Sequence, residues 1–234
     1  MKRFYKKVSI APLEGGFGVL LDGKSVKTPA RNVLALPAEK LAHAIAAEWQ
    51  GQGEEVVVSS MALLKLSNTA IDGVAAKRED VINAILRFGE NDLVCYRAHQ
   101  PPELAARQSA GWDPLLDWVA QRHRARMHVA QGLNHVDQLP ETLVALRQPL
   151  EGLDPFTLAG LHVVASITGS LVLALTVLDD ALSGARAFEL SRIDETYQIE
   201  KWGQDTEAAK RVAALAHELD KAVELIALCR TDAR

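Results

Sequence analysis

The chain has 234 residues, of which 48% are hydrophobic, 24% charged and 5% aromatic, and its net charge is −4. This balance excludes intrinsic disorder as the main state and a general nucleic-acid binder, because phosphate contacts need a basic surface. Its two cysteines, Cys95 and Cys229, are far apart, which excludes a zinc ribbon, a thioredoxin-like pair and a dense disulfide scaffold. Both read as reduced and structural.

Phe4 to Ala11 predicts a strand, with Val8 and Ile10 alternating with Lys7 and Ser9. Phe17 to Leu21 predicts a second strand, closed by the hairpin pair Asp22-Gly23. Ser25 to Thr28 continues as a third, stopped by Pro29. A helix is expected from Ala38 to Gln50, with Leu41, Ile45 and Trp49 on one face and Gly51 beyond its end. Glu55 to Ser59 reads as one more short strand. From there the pattern is helical: Met61 to Ile71, Glu79 to Phe88, and Pro102 to about Arg124, where Pro114 should kink or divide the helix. His128 to Val136 reads as irregular or extended. Helices follow over Glu141 to Leu150, Phe156 to Leu178 with a bend at Gly169, and Ala185 to Trp202, closed by Gly203. The last runs from Thr206 to about Leu228, capped by Asp205, with an apolar stripe of Val212, Leu215, Leu219, Val223 and Ile226. The class is α+β: a β-rich N-terminal domain over residues 1–60 and a helical domain over 61–234.

Leu158 to Leu178 lacks Asp, Glu, Lys and Arg, so its length and apolarity raise the possibility of a membrane span. Acidic flanks, Asp154 before and Asp179-Asp180 after, and the absence of a basic anchor favour a buried core helix and no stable membrane insertion. The N-terminus has no apolar signal segment, and a reducing cytoplasm is the expected compartment.

The search for chemistry returns little. Gly15-Gly16-Phe17-Gly18 falls between two strands, whereas a phosphate loop lies between a strand and a helix. No P-loop, H-E-x-x-H or G-x-S-x-G spacing occurs. No catalytic residue, metal or cofactor is therefore assigned. A spatially assembled enzyme site using His162, Glu195 and Cys95 stays open as an alternative, as does membrane association through Leu158–Leu178. Residues 1–30 hold six basic side chains against two acidic ones within a net negative chain, which reads equally as a polarity able to orient a protein partner and as edge-strand lysines that discourage strand aggregation. The most unusual segment spans 194–207. On a helix, Asp194, Gln198 and Trp202 form a row with Glu195 beside it, and six acids face three basic residues between 189 and 210. Two readings stay open from spacing: a partner-binding surface anchored by Trp202, or a packed interhelical corner.

The chain resembles the ATP synthase assembly chaperones specific for the alpha subunit of the catalytic head. The matching words are RFYKKV at 3–8, GFGVLLDG at 16–23, KTPARNVLALP at 27–37, LAHAIAAEWQGQG at 41–53, LSNTAIDGV at 66–74, DLVCYRA at 92–98, WDPLLDW at 112–118, TGSLVLAL at 168–175 and IDETYQIEKWGQD at 193–205. Met61-Ala-Leu-Leu64 departs from the family, whose members often carry Thr at the fourth position. The resemblance implies a two-domain fold and a non-enzymatic chaperone that holds the new alpha subunit until the beta subunit covers it. Eukaryotic relatives work in the mitochondrial matrix and carry a transit peptide, so a bacterial cytoplasmic member or a processed form is expected here; a monomer is expected when free. The resemblance also makes the glutamate of E-x-x-Q-x-x-x-W-G, here Glu195, the leading client contact. Gln198, Trp202, Gly203 and Asp205 complete the expected client-binding set.

Overall fold

The computed structural model describes residues 1–132 and 135–230. In chain order the elements are β1 (Val8–Leu13), β2 (Gly16–Leu21), β3 (Lys24–Ser25), α1 (Glu39–Gln50), α2 (Ala62–Thr69), α3 (Arg78–Glu90), β4 (Tyr96–Arg97), α4 (Pro102–His123), β5 (Ala130–Gln131), α5 (Pro140–Glu151), α6 (Pro155–Thr168), α7 (Leu171–Leu178), α8 (Gly184–Ser191), α9 (Ile193–Trp202) and α10 (Thr206–Cys229). The class is α+β, with a three-stranded antiparallel sheet followed by helices. Packing groups the chain into two units. One holds Met1–Arg78, Asp154–Gly160 and the chain from Lys221 on; the other holds Glu79–Leu153 and Leu161–Asp220.

In the first unit the sheet order is β1-β2-β3, and β1 pairs with β2 from Val8↔Leu21 to Leu13↔Gly16. Asp22 (φ 49°) and Gly23 (φ 80°) make the expected tight turn into β3. The first strand begins at Val8, later than its alternation suggests, because the Asp22 carboxylate takes the N–H groups of Lys6 and Lys7. The strand expected at 55–59 is reduced to one bridge, Lys2↔Glu55, and then a 3-10 turn, Val58–Ser60. The Gln52 amide oxygen accepts from Val57 N–H at 2.8 Å, so that donor is not free for a ladder. Helix α1 buries Leu41, Ile45 and Trp49, as the spacing requires, and the Tyr5 hydroxyl donates to the Trp49 carbonyl at 2.6 Å. Glu48 accepts from Leu63 and Leu64 N–H at 2.8 and 2.9 Å and so caps α2 from outside that helix; burial raises its pKa.

Gly16 has φ +143°, and a Cβ there would stand 2.1 Å from the Leu36 carbonyl oxygen. That closeness comes from the paired hydrogen bonds between Phe17 and Leu36, at 2.9 and 2.8 Å. Gly16→Ala is expected to destabilise the protein by more than about 2 kcal/mol, since both the dihedral and the clash must be relieved. Thermal melting checks this, and an unchanged midpoint would refute it.

In the second unit Leu171 to Val177 of α7 are all buried. The apolar stretch expected to form one bent helix is two helices. α6 ends at Thr168, Gly169 turns at φ +66°, and the Ser170 hydroxyl caps α7 by accepting from Leu173 N–H at 3.0 Å. Among the described residues no helix is long and apolar enough to cross a membrane. The start of α7 is also served by Asp92. This fully buried carboxylate accepts from Val172 N–H at 2.9 Å, Val94 N–H at 3.2 Å, Leu171 N–H and the Ser170 hydroxyl. Helix α4 stays continuous through Pro114. Its buried row, Leu104, Gln108, Trp112, Leu115 and Val119, spans both sides of the proline, and this packing outweighs the missing backbone donor. Within the region expected to be irregular, Ala130–Gln131 pairs with Tyr96–Arg97 in parallel; 133–134 lie outside the described residues.

The helix expected over Ala185 to Trp202 is also divided, into α8 and α9, with Arg192 (φ −118°, ψ 23°) at the joint. Trp112 Nε1–H donates to the Leu190 carbonyl at 2.9 Å, drawing α8 onto α4. Gly111 permits the approach, since a Cβ there would come within 2.8 Å of Ile193 Cδ1 and 3.0 Å of Leu190 Cδ2.

Candidate functional site

Helix α9 has two faces with different tasks. Inward, Tyr197 is buried and its hydroxyl donates to Glu103 Oε2 at 3.3 Å, while the Arg107 guanidinium lies 5.2 Å from its ring centre. Asp194 belongs to this side. Its carboxylate accepts from Gln108 Nε2 at 2.6 Å, and the buried Gln108 amide oxygen accepts from Ala98 N–H, also at 2.6 Å. The row read from spacing as Asp194, Gln198 and Trp202 is therefore corrected. Asp194 turns inward, and the carboxylate of the outer face is that of Glu195. Lys201–Glu103 at 3.5 Å and Arg107–Glu200 at 2.7 Å tie the flanks of α9 to α4.

Outward, Glu195, Gln198 and Trp202 stand one turn apart along the helix and are exposed. Trp202 is 78% exposed, so it is not packed into a corner. Gly203 (φ 82°) closes α9, its N–H donating to the Ile199 carbonyl at 2.8 Å. Asp205 opens α10: its carboxylate accepts from Ala208 N–H at 3.1 Å, the cap expected from sequence. Glu195, Gln198, Trp202, Gly203 and Asp205 all line one shallow depression of about 290 Å³, with Ile199, Ala208 and Val212 on its apolar side. The apolar stripe of α10 is only half used for packing: Leu219 and Ile226 are buried, whereas Leu215 is exposed.

Sequence reasoning missed Arg192. It lines the same depression, its side chain is only 20% exposed, and its Nη1 stands 3.8 Å from Glu195 Oε1. The signal lay in the break between α8 and α9, which periodicity alone reads as one helix. Arg192 also borders a second, larger groove of about 640 Å³.

The residues weighed for an enzyme site are each accounted for by their own surroundings. Cys95 is buried, and burial pushes its thiol well above its ordinary range. His162 packs edge-on against Phe88, and burial pushes its pKa down. Glu195 pairs with Arg192 at the surface. Among the described residues no group of three or more His, Cys, Asp or Glu side chains could hold a metal ion.

Known proteins resemble the chain along its length. The sequence profile of the family described as ATP12 chaperone protein matches residues 2–120. The mitochondrial protein atp12 of Schizosaccharomyces pombe is 25% identical over 232 residues, covering 94% of this chain and 77% of its own. The crystal structure of Atp12 from Paracoccus denitrificans superposes with a TM-score of 0.95 at 39% identity, covering 98% of both chains. That of the Atu1473 protein from Agrobacterium tumefaciens gives 0.94 at 41% identity, covering 98% of this chain and 86% of its own. These structural likenesses extend beyond the profile match and take in α8 to α10. The chain belongs to the ATP12 chaperone protein family.

Proposed function

We propose that the chain is an ATP-independent chaperone that binds the unassembled alpha subunit of F-type ATP synthase, prevents its aggregation and passes it to the beta subunit. Family membership supports the chaperone class. The observation that carries the proposed docking face is Trp202, a large aromatic side chain held out in water beside a carboxylate and an amide on a rigid helix. Exposed aromatic anchors of this kind supply much of the binding energy at protein interfaces, and a polar surround keeps the contact exchangeable. An unassembled ring subunit exposes apolar surface that must be masked and later released. Glu195, Gln198 and Trp202 make the proposed contacts, while Gly203 and Asp205 shape the corner and border it. The chain acts without a cofactor, as a monomer when free, in the bacterial cytoplasm.

The test is co-expression with the alpha subunit in the absence of beta, followed by size-exclusion chromatography of the soluble fraction. Co-elution is expected, with the alpha subunit aggregating when this chain is omitted. Soluble alpha subunit eluting alone in both cases would overturn the proposal.

A further inference from the structure

The depression beneath Trp202 has a larger neighbour. The groove of about 640 Å³ lies among α4, α8, α9 and α10, and Arg192, Ile199 and Val212 border both spaces. Phe188, Ile199 and Val212 give the groove apolar walls, and Arg107 and Arg186 stand on its rim. Among the described residues Glu189 is the only carboxylate lining it, and Arg186 already holds that group at 2.9 Å. Arg107 is likewise matched, by Glu200 at 2.7 Å.

Arg192 is different. Its guanidinium lies 5.7 Å from the Phe188 ring centre, it is largely withdrawn from water, and its carboxylate partner is 3.8 Å away. A charge-assisted hydrogen bond to carboxylate is shorter, at about 2.7–2.9 Å, so a half-desolvated arginine here has capacity for a second acid. Its fork-shaped donor set suits a carboxylate better than a point charge would. A carboxylate reaching Arg192 from outside would sit where the two depressions meet, with room on one side for a large apolar side chain.

We infer that the groove and Arg192 together receive an acidic segment of the client, in which a carboxylate docks on Arg192 and a neighbouring large apolar side chain fills the groove. This deepens the client reading and rests on it. The surface is continuous with the face carrying Glu195 and Trp202, so one client segment could cover both. Glu195 then has a second part: in the free chaperone it holds Arg192 loosely, and an incoming carboxylate competes with it.

The experiment has two arms. In the first, the full chain is titrated, with amide NMR as readout, with a short peptide of alternating Leu and Glu, and with the same peptide carrying Lys for Glu. The Glu peptide is expected to move the resonances of Ala110, Phe188 and Ile199, and the Lys peptide is not. Arg192→Glu and Ala110→Trp are each expected to abolish those shifts; Ala110 is an exposed position on the groove wall, so the tryptophan fills the space without entering the core. Equal response to both peptides, or shifts indifferent to both substitutions, overturns the groove assignment. In the second arm, each variant is assayed against the alpha subunit, and a loss of affinity of about tenfold or more is expected. Undiminished binding by both variants also overturns the groove assignment and leaves the client reading standing. Wild-type chain that binds the Glu peptide at Arg192 but not the alpha subunit overturns the client reading and leaves the groove assignment standing.

Discussion

Trp202→Ala is expected to weaken binding of the alpha subunit by about thirtyfold, the equivalent of about 2 kcal/mol, while leaving the fold untouched. The two halves of that expectation have one cause. At 78% exposure the indole contributes little to packing in the free chain, so its removal should change stability by no more than about 0.5 kcal/mol and the melting midpoint by no more than about 2 °C. In the complex the same ring would leave water altogether, which is where a tryptophan side chain yields most. Glu195→Lys should act in the same direction by another route, removing the carboxylate that the outer face presents to the client beside Gln198 and Trp202. Calorimetric titration and thermal melting of each variant separate the roles. Wild-type affinity for Trp202→Ala would mean that the face does not dock the client; a melted Glu195→Lys would mean that Glu195 serves the fold.

The second large effect concerns Asp92. Burial without a cation pushes its carboxyl up to about 6, even though Ser170, Val172, Val94 and Leu171 all donate to it. Desolvation therefore outweighs four hydrogen bonds in setting the direction. Between about pH 4 and pH 6 the folded protein keeps a proton that the unfolded chain has released, so this group's contribution to stability falls as pH rises. Lifting a carboxyl from its ordinary range to about 6 corresponds to about 3 kcal/mol. Asp92→Asn cannot titrate. The stability of wild type minus that of Asp92→Asn should thus be greatest well below pH 4, where both states hold the proton, and smaller by about 3 kcal/mol at pH 7. Urea unfolding at stepped pH measures it; a difference that does not change with pH would show that Asp92 is not the titrating group.

Local signals read well where one rule governs one element. The Asp22-Gly23 turn, the buried row of α1 and the Asp205 cap follow from residue type and spacing. The readings that failed were those in which a side chain, near or distant, takes a backbone group that the pattern assigns to a strand or a continuous helix. Nothing in 52–57 announces that Gln52 will take the Val57 donor, and nothing in 185–202 announces that Trp112 will pull on the Leu190 carbonyl. Pro114 erred the other way, because the buried row on both of its sides holds α4 straight through. At the depression, helical spacing placed Gln198 and Trp202 on one face of α9, but not which of two adjacent acids joins them. That choice is made by Gln108, 86 residues away from Asp194. Arg192 was missed because periodicity runs through the break between α8 and α9, where it stands.

Asp194 and Tyr197 fasten α9 from one side, and Glu195, Gln198 and Trp202 stand clear on the other. Natural selection can therefore act on the two rows separately. Changes in the inner row are tested by folding, and on the docking face we propose, changes in the outer row are tested by the partner alone. A chaperone built this way can keep pace with a drifting client by substitutions that cost its own architecture almost nothing, and a graft of the outer row from a relative should carry that relative's client preference with it.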